Sequence, residues 1–176
     1  MNKETRYVVF GGAIAALYVV LTFVSSAFGL ASGAIQIRLS ECLTILPCFF
    51  TAAVPGLTIG CLLANLLTGC AAWDVVFGSL ATLLGALGTR YLRNRPSLAW
   101  IPPVISNMII VPLVLLWVYQ VPEVSLKLPF TETVLSGSGF FPLMITVGIG
   151  EIISCGVLGM LLHSFTNRML PHKHRD

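Results

Sequence analysis

Apolar residues fall into long runs along this chain, and the polar positions mark where each run stops. The first run extends from Tyr7 to Leu30. No charge occurs between Glu41 and Asp74, a stretch too long for one helix, and Pro55-Gly56 divides it into spans near 39 to 54 and 56 to 71. A fourth run covers Trp73 to Tyr91, a fifth Leu98 to Tyr119, and a sixth Phe140 to Phe165 with Glu151 inside it. A helix crosses roughly 30 Å of hydrocarbon with about 20 mostly apolar residues. The pattern therefore predicts an all-α integral membrane protein, a bundle of six transmembrane helices formed by residues 1–176 as one domain. Six crossings put both termini on one side.

Composition supports this reading. Ten basic and seven acidic residues stand against 56% apolar residues in 176, and the mean hydropathy is +0.92, far above that of soluble domains. The run after Lys3 and Arg6 is longer than the core of a secretory signal, about 7 to 15 residues, and reads as a retained span. Basic residues that flank spans stay in the cytoplasm. With the N-terminus inside, Lys3, Arg6, Arg90, Arg93, Arg95, Arg168, Lys173 and Arg175 are internal, and only Arg38 and Lys127 are external. Both termini are then cytoplasmic in the cell membrane. The segment Val121 to Gly139 becomes an external loop with room for a short surface helix, able to act as a lid. Five cysteines show no CxxC spacing and read as small packing residues.

Small residues at four-residue spacing let membrane helices approach closely. Gly56, Gly60, Ala64 and Thr68 form such a row in the third span, and Cys155 and Gly159 form one in the last. Gly12 and Ala16, beside Ala13, form another in the first, which either packs internally or meets a second subunit.

Polar residues within apolar spans are costly, about 2.5 to 3.5 kcal/mol per charge on insertion scales, and mark interiors or sites. Here they are Glu41, Asn65, Asp74, Asn107 and Glu151. At 1.5 Å per residue, Glu151 lies about 16 Å below the outer end of its span, and all five point toward the outer half of one bundle. In QIRLSECLTILP, Gln36, Arg38 and Glu41 precede and open the second span, as the rim of an outward-facing pocket. Alternatively Arg38 snorkels to the interface and pairs with Glu41. Trp73 is either an interfacial belt residue or an aromatic platform; Asn65 and Asn107 either read a ligand or bond helix to helix.

No HExxH, GxSxG, Walker or dinucleotide motif is present, so neither an enzyme nor a catalytic, metal or cofactor site is expected. Nucleic acid is not among the expected partners. Active transport would then draw on a partner or an ion gradient. The competing classes are a self-sufficient secondary transporter or channel, with Glu41 and Glu151 carrying protons or cations, and a structural subunit whose polar residues only bind helices together.

The run QIRLSECLTILP, then PGLTIGCLLANLLTG and WDVVFGSLATLLGAL, with the six-span layout, resembles the QueT-type substrate-binding subunits (S components) of energy-coupling factor transporters. That resemblance implies a membrane subunit that captures a queuosine precursor or salvage product from outside and associates with a transmembrane coupling protein and two ATPases. Such subunits are thought to topple in the membrane to release substrate inward. It also implies a small-residue docking patch on the first span, for which GGAIAAL offers Gly12, Ala13 and Ala16. A 7-deazaguanine presents an N1–H and an exocyclic amine that one carboxylate can accept, and a cationic aminomethyl group suits a second. Glu41 and Glu151 fit these roles in either order, Asn65 and Asn107 the remaining edge, and Trp73 the ring face.

Overall fold

The computed structural model describes residues 2–30, 35–118, 120, 124–127, 134–137 and 139–169. Helix α1, Lys3–Ala27, starts where the Asn2 side chain accepts the Lys3 N–H at 2.8 Å. It ends where Gly29 takes a left-handed φ of 68° and the N–H groups of Phe28, Gly29 and Leu30 bond back to the last carbonyls, the usual way a helix satisfies its final turn.

The next apolar stretch divides earlier than its Pro55-Gly56 pair suggested. Leu39–Cys48 is a ten-residue 3₁₀ helix and α2 spans Ala53–Leu67, so the break lies at 49–52. Pro55 sits in the first turn of α2, where a missing N–H leaves no bond unmade. A 3₁₀ helix repeats every three residues, and burial follows that period with one exception: Glu41, Thr44 and Pro47 are buried, as are Ser40, Leu43 and Leu46, while in the third row Leu39, Cys42 and Cys48 are partly buried and only Ile45 is fully so.

The small-residue row of α2 packs internally against α1. A Cβ on Gly56 would lie 2.6 Å from the Gly11 carbonyl oxygen, and one on Gly60 2.8 Å from Tyr18 Cβ. Ile14, Tyr18, Leu43, Leu46, Leu57, Cys61 and Ala64 belong to the core beside this contact. Gly12, Ala13 and Ala16 point the other way and are exposed, with nothing within 4 Å of a Cβ on Gly12.

Helix α3, Ala72–Tyr91, meets α4, Ile101–Trp117, at Gly85 and Gly88, whose missing side chains admit Pro103 and Pro102. The Thr89 hydroxyl donates to the Ala99 carbonyl at 2.8 Å across the connecting turn. Within the expected 121–139 loop, the described residues form a hairpin and no helix: β1, Val124–Lys127, pairs antiparallel with β2, Val134–Gly137, in the register Val124–Gly137 to Lys127–Val134. Helix α5, Phe140–Glu151, runs through a π-helical segment, Ile152–Leu158, into α6, Gly159–Met169. At the end of the bundle holding the termini, the Phe49 and His163 rings meet at 4.9 Å, tilted by 36°, and Arg90 Nη1 donates to the Pro47 carbonyl at 3.1 Å.

Among the described residues, four helices are long and apolar enough to cross a membrane: Lys3–Ala27, Ala72–Tyr91, Pro96–Trp117 and Phe140–Met169. Leu39–Cys48 and Ala53–Leu67 are shorter apolar helices between the first two.

Candidate ligand site

Two carboxylates face each other inside the bundle. Glu41, on the 3₁₀ helix, is 2% exposed, and Glu151, the last residue of α5, is 8% exposed. Ligating atoms of Glu41, Glu151 and Cys155 all lie within 4.8 Å of one another. At the effective dielectric suited to buried sites, two like charges at that distance repel by at least about 3 kcal/mol. Something positive or proton-donating must relieve the pair.

The surroundings supply part of that relief. The Tyr18 hydroxyl of α1 donates to Glu41 Oε1. The Cys155 thiol donates to Glu151 Oε2 at 3.2 Å, and the Thr44 hydroxyl lies 3.4 Å from the same sulfur. The Asn107 amide of α4 faces both carboxylates, and the partly buried Arg38 guanidinium is close enough to attract Glu41, Glu151 and Asp74. Glu41 Oε2 nevertheless has no hydrogen-bond partner, so Arg38 does not use this oxygen as a simple rim pair would. Burying an acceptor without a partner costs about 1 to 3 kcal/mol, more when it is charged. The arrangement is that of a receptor for hydrogen-bond donors or a cation, and its two carboxylates and thiol could also hold a metal ion.

Local backbone brings these groups together. A Cβ at Gly150 would collide with the Gln36 carbonyl oxygen, so only glycine lets the strand-like residues 36–38 lie against α5 beside Glu151. The π-helical segment follows at once and turns Ser154 and Cys155 inward, both 1% exposed. Wide-turn insertions of this kind are frequent at functional sites. Ser154 Oγ is a second buried atom without a partner.

The residues singled out by sequence divide into groups. Glu41, Asn107 and Glu151 meet directly, with Arg38 beside them and Gln36 contributing its backbone. Asn65 and Asp74 are buried at the neighbouring α2–α3 contact, where Asn65 Nδ2 lies 3.4 Å from the Asp74 carbonyl; this is the helix-to-helix bond that was the alternative for Asn65. Trp73, 60% exposed, stacks on Phe77 at 6.0 Å and lines an outward apolar cleft with Leu113 and Trp117. It does not stand over the carboxylates. Sequence reasoning missed Tyr18 and Cys155. Tyr18, Thr22 and Ser25 form a polar stripe at helical spacing within an apolar run, and Cys155 lies four residues after Glu151; either pattern was a usable signal.

Residues 8–168 match the family described as QueT transporter. The chain belongs to the QueT transporter family. The Lactococcus lactis subsp. cremoris protein named Queuosine precursor transporter QueT is 37% identical over 86 residues, covering 48% of this chain and 50% of that protein. The chain thus spans about half the length of the curated relative it matches. No solved structure matches it. With its long apolar helices, this QueT-family chain is a multi-pass protein of the plasma membrane.

Proposed function

We propose that this chain is the substrate-capturing subunit of an energy-coupling factor importer, binding a queuosine precursor or salvage product between Glu41 and Glu151. The observation that supports this most is the buried carboxylate pair with an unpartnered Glu41 Oε2 in a QueT-family chain. A 7-deazaguanine supplies donors of the kind the pair lacks, and an aminomethyl derivative adds a positive charge. Asn107 reads a further edge of the ligand, and Arg38 offsets part of the negative charge.

On this reading the bundle crosses the membrane six times with both termini in the cytoplasm, and the pocket opens outward. Energy on this reading comes from a coupling protein and two ATPases, in keeping with a sequence that holds no nucleotide-binding motif of its own. The exposed face of Gly12, Ala13 and Ala16 supports docking of that coupling protein, because small residues let a partner helix come close.

Calorimetry of the detergent-purified protein against 7-deazaguanine, its aminomethyl derivative, queuine and queuosine tests the reading. Glu41→Gln and Glu151→Gln each replace an acceptor oxygen by a donor and should weaken binding at least tenfold, in line with about 1 to 3 kcal/mol for a buried mismatch. The folded protein should still purify. Unchanged affinity in both variants would sink the carboxylate site. Ion-driven uptake by the chain alone in vesicles would instead make it a self-sufficient secondary transporter.

A further inference from the structure

Tyr18 is 1% exposed and lies in the core of α1, where a phenylalanine would fill the same space without burying a hydroxyl. That hydroxyl donates to Glu41 Oε1. The ring has little room to move, because the α2 backbone at Gly60 closes on Tyr18 Cβ. The same face of α1 is tied to the start of the 3₁₀ helix twice more. Thr22 Oγ1 lies 2.9 Å from Ser40 Oγ, and Ser25 Oγ accepts the Leu39 N–H at 2.8 Å. Residues 18, 22 and 25 thus fix residues 39 to 41 in position and rotation.

We propose that Tyr18 is a positioning and specificity-determining residue of the ligand site: by engaging Glu41 Oε1 it turns Oε2 toward the ligand, so that the ligand bridges Glu41 and Glu151 with separate donors. This rests on the ligand-site reading above and refines it. One carboxylate grasping two ring donors would use both its oxygens, and the Tyr18 hydroxyl already takes one lone pair of Oε1, which leaves Oε2 the more open acceptor. The open acceptor is Oε2 of Glu41, and the facing group is the Glu151 carboxylate, which has an oxygen within 4.8 Å of one of Glu41 and accepts the Cys155 thiol at Oε2. A heterocycle with adjacent N–H and amine donors spans such a pair, and a ligand with one donor satisfies only one side of it.

A double-mutant cycle tests this. Calorimetry with 7-deazaguanine compares wild type, Tyr18→Phe, Glu41→Gln and the double variant. Tyr18→Phe should weaken binding at least tenfold, yet cost less than threefold once Glu41 is Gln, because the two act as one unit. 7-Deazahypoxanthine, which lacks the amine, should bind wild type at least tenfold more weakly than 7-deazaguanine, and Tyr18→Phe should narrow that ratio. Unchanged affinity in Tyr18→Phe, or losses that multiply in the double variant, would overturn the proposal. A readout without ligand separates the two levels: the infrared carboxyl band that Glu41→Gln removes should shift in Tyr18→Phe. It should shift in the opposite sense when Tyr18 is replaced by a fluorotyrosine of similar size and stronger donation. If wild type binds no deazaguanine, the functional reading fails, and the infrared comparison still decides Tyr18: an unmoved band overturns it.

Discussion

At the scale of single residues, the site is held by what is missing at position 150 as much as by the carboxylate at 151. The Gln36 carbonyl occupies the space that a side chain at 150 would need, and backbone atoms on both sides leave no flexible tip to give way. Gly150→Ala should therefore lower stability by about 1 to 3 kcal/mol through overpacking and separate Arg38 from Glu151, weakening ligand binding. Gly12→Ala is the matched control: nothing lies within 4 Å of its added Cβ, and alanine favours a helix by about 0.8 to 1 kcal/mol over glycine. Thermal unfolding in one detergent should show Gly150→Ala falling and Gly12→Ala holding or rising. Equal melting points would mean that segment 36–38 shifts freely. The sequence marked Glu41, Asn107 and Glu151 because charge and amide stand out in hydrocarbon. It concealed Tyr18 and Cys155, whose types are ordinary in apolar runs and whose roles come from the groups they meet.

At the scale of elements, α1 has two faces with different work. The inner face is committed: Gly11 meets Gly56, Tyr18 meets Gly60, and Tyr18, Thr22 and Ser25 meet the 3₁₀ helix. The outer face of Gly12, Ala13 and Ala16 is exposed, and a Cβ on Gly12 would meet nothing within 4 Å. Gly12→Leu or Ala16→Leu should therefore leave ligand affinity within about twofold while reducing co-purification with the proposed coupling protein, since close helix approach is lost. Parallel loss of both would place this face inside the bundle. The small-residue rows were legible as contacts, but not the row a helix turns inward; that depends on the matching glycine of a neighbour. The break at 49–52 was also hidden, because Pro55 ends a helix by rule yet is equally at home in a first turn.

For the whole molecule, the long apolar spans and their order followed from hydropathy, because lipid demands backbone bonding within each segment. Orientation rests on the eight-to-two division of basic residues and is open to labelling. With Cys70 replaced by Ser, a cysteine at Gln120 should react with an impermeant thiol reagent in intact cells, and one at Asn94 should react only after lysis. Both positions are exposed, so burial does not decide the outcome. The reversed pattern would invert the molecule and turn its pocket inward. What no span-by-span reading reveals is the convergence of α1, the 3₁₀ helix, α4, α5 and the π-helical segment on one pair of carboxylates. That is set by crossing geometry at glycines and prolines.

The shortness of α2 sets a condition on the surrounding lipid. Its 15 residues rise about 22 Å and the 25 of α1 about 37 Å, against roughly 30 Å of hydrocarbon. Leu62, Leu63, Leu66 and Leu67 are exposed along the short helix, so acyl chains meet a low wall on one flank and a high one on the next. Such hydrophobic mismatch is relieved by thinning the bilayer beside the short element or tilting the bundle, at fractions of a kcal/mol per ångström. If α2 crosses as the proposed six-span layout requires, the membrane around this chain is thinnest beside α2, and the energy held in that deformation favours any tilt or neighbour that evens it out.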